Sequence, residues 1–305
     1  MTLASIIIIN YNTAKLTIQA IESIEKRVSS LENFEIILVD NASKITDFNE
    51  LKSGVEALNN NNLKLIRSKF NLGFGGGNML GIQNAIGKFY IFLNSDVILT
   101  EDSLTSMIDF LSNNPTASIV GCQAINQEGK KAKGFDYGLS LANELFSDSF
   151  LQFFNRKKYK SRIVKTKEPL IVDSVAGSLF TCVAKDFDAV GGFDTNLFLY
   201  YEEKDLAFRI KRHLKKDTYI LPSTEYIHLQ GQSTEKSQKI RNELKISQFY
   251  AIQKNLGTIK YYIFYLISLI IFLIKSPFSK KNMAYFFLLL NGISTSKSIK
   301  HNQKN

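Results

Sequence analysis

The sequence predicts an α/β fold, in which a mainly parallel β-sheet is flanked by helices and followed by a helical extension at the carboxyl end. Along the first half of the chain, short apolar runs rich in β-branched residues alternate with segments whose apolar residues recur at helical spacing. From about Gln238 the strand pattern stops and only helical patterns follow. Alternating strands and helices are typical of a parallel sheet that is covered by helices on both faces.

Five strands are predicted in the first half of the chain. Each is a continuous apolar run bounded by Asn, Asp, Ser or Gly, and continuous runs indicate strands that are buried on both faces of the sheet. The predicted strands are Ser5–Asn10, Phe34–Val39, Leu63–Ser68, Phe89–Leu93 and Ala117–Gly121. The helices predicted between them are Ala14–Val28, Phe48–Leu58, Gly75–Ile86 and Ser103–Leu111.

The second half has a less regular pattern. Residues 130–170 are polar, and we expect an irregular region there, with the basic stretch Arg156–Lys160 as a solvated loop. A strand-like block spans Ile171–Val183, an acidic helix starts at Glu202, and a further strand precedes His228. Strands therefore continue beyond the first half, up to the point where the helical extension begins.

The positive charge of the chain is confined to this extension. Residues 236–305 contain eleven lysines and one arginine against one acid, a net charge of +11, whereas the whole chain carries +10 and residues 1–235 therefore −1. We expect two parts, an α/β domain at 1–235 and a basic, apolar helical tail at 236–305. A nucleic-acid-binding protein would spread its basic residues over a folded face, so this class is disfavoured.

Polar residues follow the predicted strands at their carboxyl ends. In a parallel sheet these ends meet along one edge, where ligands of α/β proteins collect. The residues concerned are Asn10 and Asn12 after the first strand, Asp40 and Asn41 after the second, Asn71 and Gly73 after the third, and Asn94, Ser95 and Asp96 after the fourth. The sequence therefore predicts a ligand site at this edge.

The glycine-rich segment Asn71–Asn78 opens a predicted helix. A dinucleotide-binding fingerprint would require a third glycine at the position of Asn78, so the NAD-dependent oxidoreductase class is disfavoured. Glycines at the start of a helix still allow a phosphate or a sugar to approach the free backbone N–H groups. The alternative interpretation is a glycine turn that serves packing alone.

Several acids and one histidine are candidates for chemistry. Asp96 at a strand end can hold a hard divalent cation, although an aspartate there is also common in turns. Glu202, Glu203 and Asp205 crowd the start of one helix, where acids also stabilise the helix dipole and where Asp205 can pair with Arg209. His228 is a candidate metal ligand only in the company of such acids.

Taken together, these residues resemble the inverting family 2 glycosyltransferases with a GT-A (Rossmann-like) fold, and most closely their rhamnosyltransferase-like branch. The matching stretches occur in the family's order. They are Ser5–Asn12, Val39–Ser43, Asn71–Asn78, Leu93–Val97, Val175–Ser178, Gly191–Asp194, Tyr201–Arg209 and His228–Ser233.

The resemblance implies a site for a nucleotide-sugar donor. Asp40 would bind the pyrimidine base, and the other donor-binding residues would be Asn10, Asn12, Asn41, Asn71, Gly73, Phe74, Gly75, Asn78, Asn94 and Ser95. Asp96 corresponds to the last acid of the family's D-x-D motif, whose first position is Asn94 here, and is implied as the principal ligand of Mn²⁺ or Mg²⁺. His228 would join the metal or the diphosphate.

The resemblance also implies a general base on the acidic helix. Glu203 falls where the family usually has an aspartate, and its extra methylene group moves the carboxylate by more than the ~0.5 Å tolerance of a well-held site. Glu202 or Asp205 are the alternatives for this role. A nucleotide-sugar-binding protein that has lost catalysis is a second reading of the same departure.

The expected activity is transfer of a sugar from a nucleotide diphosphate donor to a saccharide, lipid-linked or oligosaccharide, in cell-surface polysaccharide synthesis. The branch suggests dTDP-rhamnose, and a UDP-hexose is the alternative. No signal-peptide pattern is present at the amino terminus, so we expect a cytoplasmic protein.

The tail is expected to attach this protein peripherally to the inner face of the cell membrane. Its uncharged run at 261–274 extends only about 21 Å as a helix, short of the ~30 Å hydrocarbon core, and a second run lies at 283–293. Lysine-flanked apolar helices suit an anionic membrane surface. The alternative is a helical hairpin that packs on the catalytic domain or on a second subunit in a homo-oligomer.

Overall fold

The computed structural model describes residues 2–229 and 237–303. Within these residues eleven strands form, most of them in one large sheet. Their bounds are β1 Ala4–Asn10, β2 Phe34–Asp40, β3 Leu63–Arg67, β4 Phe89–Asn94, β5 Val97–Leu99, β6 Ala117–Ile125, β7 Phe135–Asp136, β8 Leu170–Val172, β9 Ser174–Val175, β10 Leu179–Val183 and β11 Asp217–His228.

Eleven α-helices lie within the same described residues. They are α1 Ala14–Arg27, α2 Ile45–Leu58, α3 Gly73–Ile82, α4 Ser103–Asn113, α5 Leu141–Leu145, α6 Asp148–Phe154, α7 Ala184–Ala189, α8 Glu202–Leu214, α9 Gln238–Leu256, α10 Thr258–Lys275 and α11 Lys280–Leu290. The five strands and four helices predicted in the first half all form, with bounds that differ by a few residues.

The large sheet is parallel on one side and mixed on the other. Its strand order is β3-β2-β1-β4-β10-β6-β11-β5, with β8 added to β11. The first four strands pair in parallel, as do β6 and β11, whereas β10 is antiparallel to both of its neighbours. The short strands β7 and β9 form a separate antiparallel pair.

The continuous apolar runs are explained by two cores, one on each face of the sheet. Successive side chains of a strand point to opposite faces. Ile6 and Ile8 of β1 accordingly pack in the core that α1 and α4 cover, while Ile7 packs in the core that α3, α7 and α8 cover. The second core is aromatic, with Phe92 and Phe187 among its fully buried side chains.

The region 130–170 is more ordered than its polar sequence suggests. It contains β7, α5 and α6. Tyr159, within the stretch that we expected to be a solvated loop, is buried in a small core with Tyr137, whose hydroxyl donates to the carbonyl of Lys160. The stretch Arg156–Lys160 is a loop whose four basic residues are exposed, as expected, and only Tyr159 turns inward. The small core was not predicted, because its aromatic residues occur at irregular spacing in the sequence.

The extension packs on the α/β domain through α9. Ser247 donates to the carbonyl of Leu199 at 2.8 Å, and Asn255 donates to Asp205 at 2.8 Å. The helices α10 and α11 form a hairpin whose inner side packs on α9 around Phe249 and Phe264. The predicted boundary between residues 235 and 236 lies outside the described residues.

One helical segment of the extension is longer than the uncharged run on which the sequence estimate was based. Thr258–Phe278 has 21 residues and a mean hydropathy of 1.7, and only 11% of its apolar window is buried in the protein. At 1.5 Å per residue it extends about 31 Å, so by length and composition it is sufficient to cross a membrane. The sequence estimate was shorter because it counted only the uncharged run at 261–274 and left out Lys260 and Lys275, which this segment includes.

Candidate functional site

The site is built at the carboxyl ends of β1 and β4, where β11 also ends. β11 pairs with the short strand β5 so that His228 is the partner of Val97. Asp96 immediately precedes β5, and its carbonyl accepts a hydrogen bond from the N–H of Leu229 at 2.9 Å. His228 Nε2 consequently lies 3.3 Å from Asp96 Oδ1, although 132 positions separate the two residues in the sequence.

This pair offers a divalent cation one carboxylate and one imidazole. Asp96 is fully buried and the His228 side chain is one-fifth exposed, so the pair lies at the inner end of an accessible site. Within residues 2–229 and 237–303 no group of three or more His, Cys, Asp or Glu side chains is arranged to hold a metal ion. Two protein ligands fit a cation that takes its remaining ligands from a diphosphate and water, as Mg²⁺ often does.

The backbone before α8 directs the acidic residues into the site. Tyr200 and Tyr201 have φ values of 74° and 75°, a left-handed conformation that costs an L-residue of order 1–3 kcal/mol. The Tyr201 hydroxyl donates to Glu144, which holds this turn against α5. We could not predict the turn, because two tyrosines carry no signal for left-handed backbone.

Glu203 lies against the backbone of Gly177. An ideal Cβ built at this glycine would be 2.5 Å from Glu203 Cδ and 3.0 Å from its Cγ. A methyl group at 177 would occupy the position of the carboxylate, so Glu203 can adopt this position because residue 177 of the segment Val175–Ser178 is a glycine. Ser178 next to it donates or accepts a hydrogen bond with the buried Tyr226 hydroxyl at 2.7 Å, which fixes this segment to β11.

Burial raises the pKa of both glutamates at the start of α8. For Glu203 desolvation is the main cause, opposed by a backbone hydrogen bond and by Lys204. For Glu202 desolvation raises the pKa further, and the negative charge of Glu203 adds to it. A carboxylate with a raised pKa accepts a proton more readily near neutral pH, which is the property that a general base needs.

These groups share one cavity of about 590 Å³. Asp96, His228, Glu202 and Glu203 all line it. Its other walls come from the Ala176–Ser178 segment, from Lys133 and Asp136, and from Arg241 of α9, which sequence reasoning did not associate with the site. The cavity thus combines a candidate metal pair with a candidate base.

A second pocket of about 370 Å³ adjoins this cavity and shares Phe74 and Asn94 with it. Hydrogen bonds between predicted donor residues hold its wall. The Asn41 amide donates to Asn71 Oδ1 and to the Gly73 carbonyl, both at 3.0 Å, and Asn71 Oδ1 also accepts from the Gly73 N–H. Of the donor residues predicted from the sequence, this pocket is lined by Asn41, Asn71, Gly73, Phe74, Asn94 and Ser95.

Asn10 and Asp40 lie beneath this pocket rather than on its wall. Both are fully buried, and the Asn10 amide donates to Asp40 and Ser43 at 3.0 Å. Asp40 also pairs with Arg67 at 3.3 Å. The arrangement is a hub that joins the ends of β1, β2 and β3, so a direct contact between Asp40 and a base requires this network to rearrange. Asn12, with φ of 57°, fixes the neighbouring loop through its bond from the Lys44 N–H.

Gly75 and Asn78, two further predicted donor-binding residues, make contacts within the protein. Gly75 leaves room for Glu202, whose Cγ would be 3.4 Å from a Cβ at this position. Asn78 is buried and donates to the carbonyl of Phe74 one turn earlier. In this structure both residues shape α3 and do not line the pocket.

Asp205 does not reach the cavity. It is fully buried, and its carboxylate accepts from Arg209 at 2.7 Å, Lys254 at 2.9 Å and Asn255 at 2.8 Å. The pairing with Arg209 is the i, i+4 alternative considered above. The assignment of Asp205 as an alternative base is therefore corrected to an ion network that joins α8 to α9.

The second half of the His228–Ser233 motif lies outside the described residues. Other parts of the site were missed because their residues carry no motif. Phe198 and Leu199 come from a loop, and Lys239, Ile240 and Ile299 come from the extension. An apolar or lysine side chain in a tail has no local signal that distinguishes a pocket wall from a packing surface.

The family model described as Glycosyl transferase family 2 matches residues 5–181, more than half of the chain. The chain belongs to this family. Among curated relatives, an uncharacterized glycosyltransferase of Rickettsia felis is 34% identical over 143 residues, which are 47% of this chain and 23% of that protein. The rhamnosyltransferase WbbL of Escherichia coli is 27% identical over 145 residues, 45% of this chain and 54% of the relative. The chain thus spans about a quarter to a half of these relatives.

Solved structures share the fold at low sequence identity. GalNAc-T7 with UDP, GalNAc and Mn²⁺ has a TM-score of 0.62 at 17% identity, covering 97% of this chain and 57% of that one. The mannosyltransferase PcManGT of Pyrobaculum calidifontis, in complex with GDP-Man and Mn²⁺, has a TM-score of 0.57 at 14% identity, covering 98% and 86%. The expectation of a GT-A fold with a carboxyl-terminal helical extension is confirmed.

Proposed function

We propose that this family 2 protein is an inverting, metal-dependent glycosyltransferase that moves a sugar from a nucleotide diphosphate donor to a saccharide acceptor. The observation that carries the proposal is the placement of the Asp96–His228 pair and Glu203 on one cavity, next to a pocket lined by Asn41 and Asn71. A donor that extends from this pocket to Asp96 brings its anomeric carbon into the cavity.

The residues of the chain have separate roles in this reaction. Glu203 takes the proton from the acceptor hydroxyl, and its raised pKa suits that role near neutral pH. The hydroxyl then attacks the anomeric carbon from the face opposite the diphosphate, so the configuration inverts. Gly177 and the left-handed Tyr200–Tyr201 turn hold the Glu203 carboxylate in place. Glu202, more deeply buried, supports Glu203 from α8.

Asp96 and His228 would hold a divalent cation together with the donor. Mn²⁺ or Mg²⁺, when bound, would neutralise the charge that grows on the leaving diphosphate. Two of the structural neighbours contain Mn²⁺ with a nucleotide or nucleotide sugar, which supports this part of the proposal.

The donor is proposed to be dTDP-rhamnose. Similarity to a rhamnosyltransferase supports this choice, and a UDP-hexose is the alternative, because one structural neighbour contains UDP and GalNAc. A protein that binds the donor without transferring the sugar is the second candidate function, favoured by the unusual glutamate at 203.

The test begins with a panel of nucleotide sugars and Mn²⁺, followed by thermal unfolding. A true donor raises the midpoint, because ligand binding stabilises the native state. The best donor is then incubated with the wild-type protein and with Asp96→Ala, and released nucleoside diphosphate is measured with and without saccharide acceptors. Release by the wild-type protein alone supports the enzyme. Binding without any release supports the binding protein, and near-normal turnover of Asp96→Ala with saturating metal refutes the metal assignment.

We further propose that the extension attaches the enzyme to the cytoplasmic face of the membrane. The outward side of α10 is an apolar face, defined here by Tyr262, Leu266, Ile270 and Ile274, which recur every four residues and are each more than half exposed. Exposure of such a stripe to water is unfavourable and indicates a membrane or protein contact. The net charge of +11 on residues 236–305 favours an anionic bilayer, since each basic residue near it contributes about 1 kcal/mol.

A second group of exposed apolar residues lies on α6, which follows α5 in the chain. Leu141 and Leu145 of α5 pack against the α10–α11 hairpin. The helix that follows, α6, exposes Phe150, Phe153 and Phe154, and the basic stretch Arg156–Lys160 comes directly after it. An amphipathic surface with aromatic residues and lysines suits the interfacial region of a bilayer. A lipid-linked acceptor would meet the enzyme at this surface.

Sedimentation with vesicles of phosphatidylglycerol and phosphatidylcholine tests this attachment. Ile270→Asp should lower the partition coefficient at least about tenfold, since burial of one such side chain contributes ~1.5–3 kcal/mol. Ile86→Asp is the matched control, because Ile86 is 74% exposed and is not part of the apolar face. Equal binding of both variants contradicts the proposal. Resistance of the wild-type protein to alkaline carbonate extraction would indicate that Thr258–Phe278 spans the bilayer instead.

A further inference from the structure

The last residues of the described chain return to the pocket at the end of β2 and β3. We define residues 294–303 as the strap. The Gln303 side chain makes two hydrogen bonds with the backbone of Asn71, accepting from its N–H at 3.2 Å and donating to its carbonyl. These bonds join positions that are 232 residues apart. Lys300 donates to the carbonyl of Thr195 at 2.6 Å, so the strap is held on a second side as well.

A buried acid anchors the strap to α9. Glu243 is 1% exposed and is the one acid of residues 236–305. Its carboxylate accepts from the Ser298 hydroxyl at 2.7 Å and from the Ile299 N–H at 2.8 Å. Burial of a carboxylate is unfavourable unless hydrogen bonds compensate it. The two bonds meet this requirement only when the strap is in place, so Glu243 specifies the position of Ile299.

In this position Ile299 lines the pocket of about 370 Å³ together with Tyr11, Asn41 and Asn71. Lys239 and Ile240 of α9 line the same pocket. The α/β domain and the extension therefore contribute opposite parts of one binding site: polar amides and a tyrosine from the strand ends, and an apolar side chain and a cation from the extension. Ligand pockets typically combine apolar walls with a few placed polar groups.

We infer that the extension completes the donor site, with Ile299 packing against the nucleoside of the donor and Lys239 facing its diphosphate. This inference rests on the proposed function, which brings a nucleoside diphosphate into this pocket. The negatively charged diphosphate would lie near Asn94 and Ser95, which line the pocket next to Asp96 in the sequence. Lys239 lines the same pocket, and its positive charge would stabilise the bound diphosphate. The nucleoside would then lie at the other end of the pocket, near Asn71 and the strap.

The test is calorimetric titration of the full chain with UDP and with dTDP in the presence of Mn²⁺. Ile299→Asp places a carboxylate against the nucleotide and should weaken binding at least about tenfold, and Lys239→Ala should weaken it by about threefold to tenfold with a reduced dependence on salt. Ile259→Asp is the matched control, because Ile259 belongs to the extension, is 79% exposed, and lies neither on the pocket nor on the apolar face. It should bind as the wild-type protein does.

The outcomes separate this inference from the proposed function. If the wild-type chain binds neither nucleotide, the proposed function fails and the inference fails with it. If the wild-type chain binds and Ile299→Asp binds equally well, only the role of the strap is refuted. Should Ile299→Asp fail to fold, hydrogen exchange in the wild-type chain decides. Slower exchange of the amides at 298–303 on addition of nucleotide supports the inference, and unchanged exchange overturns it.

Discussion

Gly177 and Glu203 form a pair whose coupling can be calculated from the structure. A Cβ at 177 would lie 2.5 Å from Glu203 Cδ, and ordinary contacts begin at 3.4 Å. In Gly177→Ala the carboxylate carbon must therefore retreat by about 0.9 Å, and a misplacement of about 1 Å in an active site lowers the rate about 100-fold. We expect kcat to fall by this factor, equivalent to about 2.7 kcal/mol, while nucleotide affinity is unchanged.

The coupling is tested by a double-mutant cycle. Glu203→Asp draws the carboxylate back by one carbon–carbon bond, away from the position that the new methyl group at 177 would occupy. Gly177→Ala should then have almost no additional effect in the Glu203→Asp background. The assay is the initial rate of nucleoside diphosphate release at saturating donor, with the Kd of the nucleotide and the thermal midpoint as checks on folding.

Gly129→Ala is the control for backbone strain without a clash, since a Cβ at Gly129 meets nothing within 4 Å but the φ of 74° makes an alanine there cost about 1–2 kcal/mol of stability. Its activity should match that of the wild-type chain. Additive losses from Gly177→Ala and Glu203→Asp would refute the reasoning, because they would mean that the methyl group acts elsewhere. Full activity of Gly177→Ala would refute the assignment of Glu203 as the general base.

Three further outcomes follow from the electrostatics of the site. Because the pKa of Glu203 is raised by burial, kcat should fall with decreasing pH through a value above the ordinary 4.5, and Glu203→Gln should abolish this acidic limb. The pKa of Glu202 is raised in the folded state, so the charged form of this side chain opposes folding and the protein loses stability as the pH rises above 4.5. In thermal unfolding, Glu202→Gln should therefore be more stable than the wild-type chain at pH 8, and the difference should be much smaller at pH 4.5. His228→Ala should raise the Mn²⁺ concentration for half-maximal activity at least about tenfold, and an unchanged midpoint would exclude His228 as a ligand.

The parallel half of the sheet could be predicted because strands that are buried on both faces appear in the sequence as continuous apolar runs. A strand with a core on each face must be apolar at consecutive positions, and the isoleucines of β1 and the apolar residues of β4 meet this condition. The antiparallel strand β10 was merged with β8 and β9 into one block, since Gly177 and Ser174 within it do not mark strand ends. The helix α6 was missed because its three aromatic residues are exposed and face outward instead of forming a periodic inner stripe.

For the candidate site as well, some features could be predicted from motifs and others depend on the folded structure. Strand-end polar residues predicted a ligand site at one edge of the sheet, and the structure places Asp96 and His228 side by side at that edge. Residue type did not distinguish a pocket wall from its support: Asn41 lines the pocket, whereas Asn10, an amide at the neighbouring strand end, is buried beneath it. Which of the two amides lines the pocket depends on the direction in which each strand ends, and the three-dimensional sheet decides this direction.

The extension shows why a boundary in composition need not be a boundary in function. The charge changes abruptly near residue 236, which favours a tail that is separate from the α/β domain. Yet Asp205 in α8 has Lys254 and Asn255 among its partners, and truncation of these two side chains to alanine would leave the buried carboxylate with Arg209 as its remaining ion-pair partner among the described residues. Breaking up a buried ion network in this way costs several kcal/mol, of order 3–5. The basic helices therefore stabilise the acidic helix that presents Glu203, while their outer side remains available for a membrane.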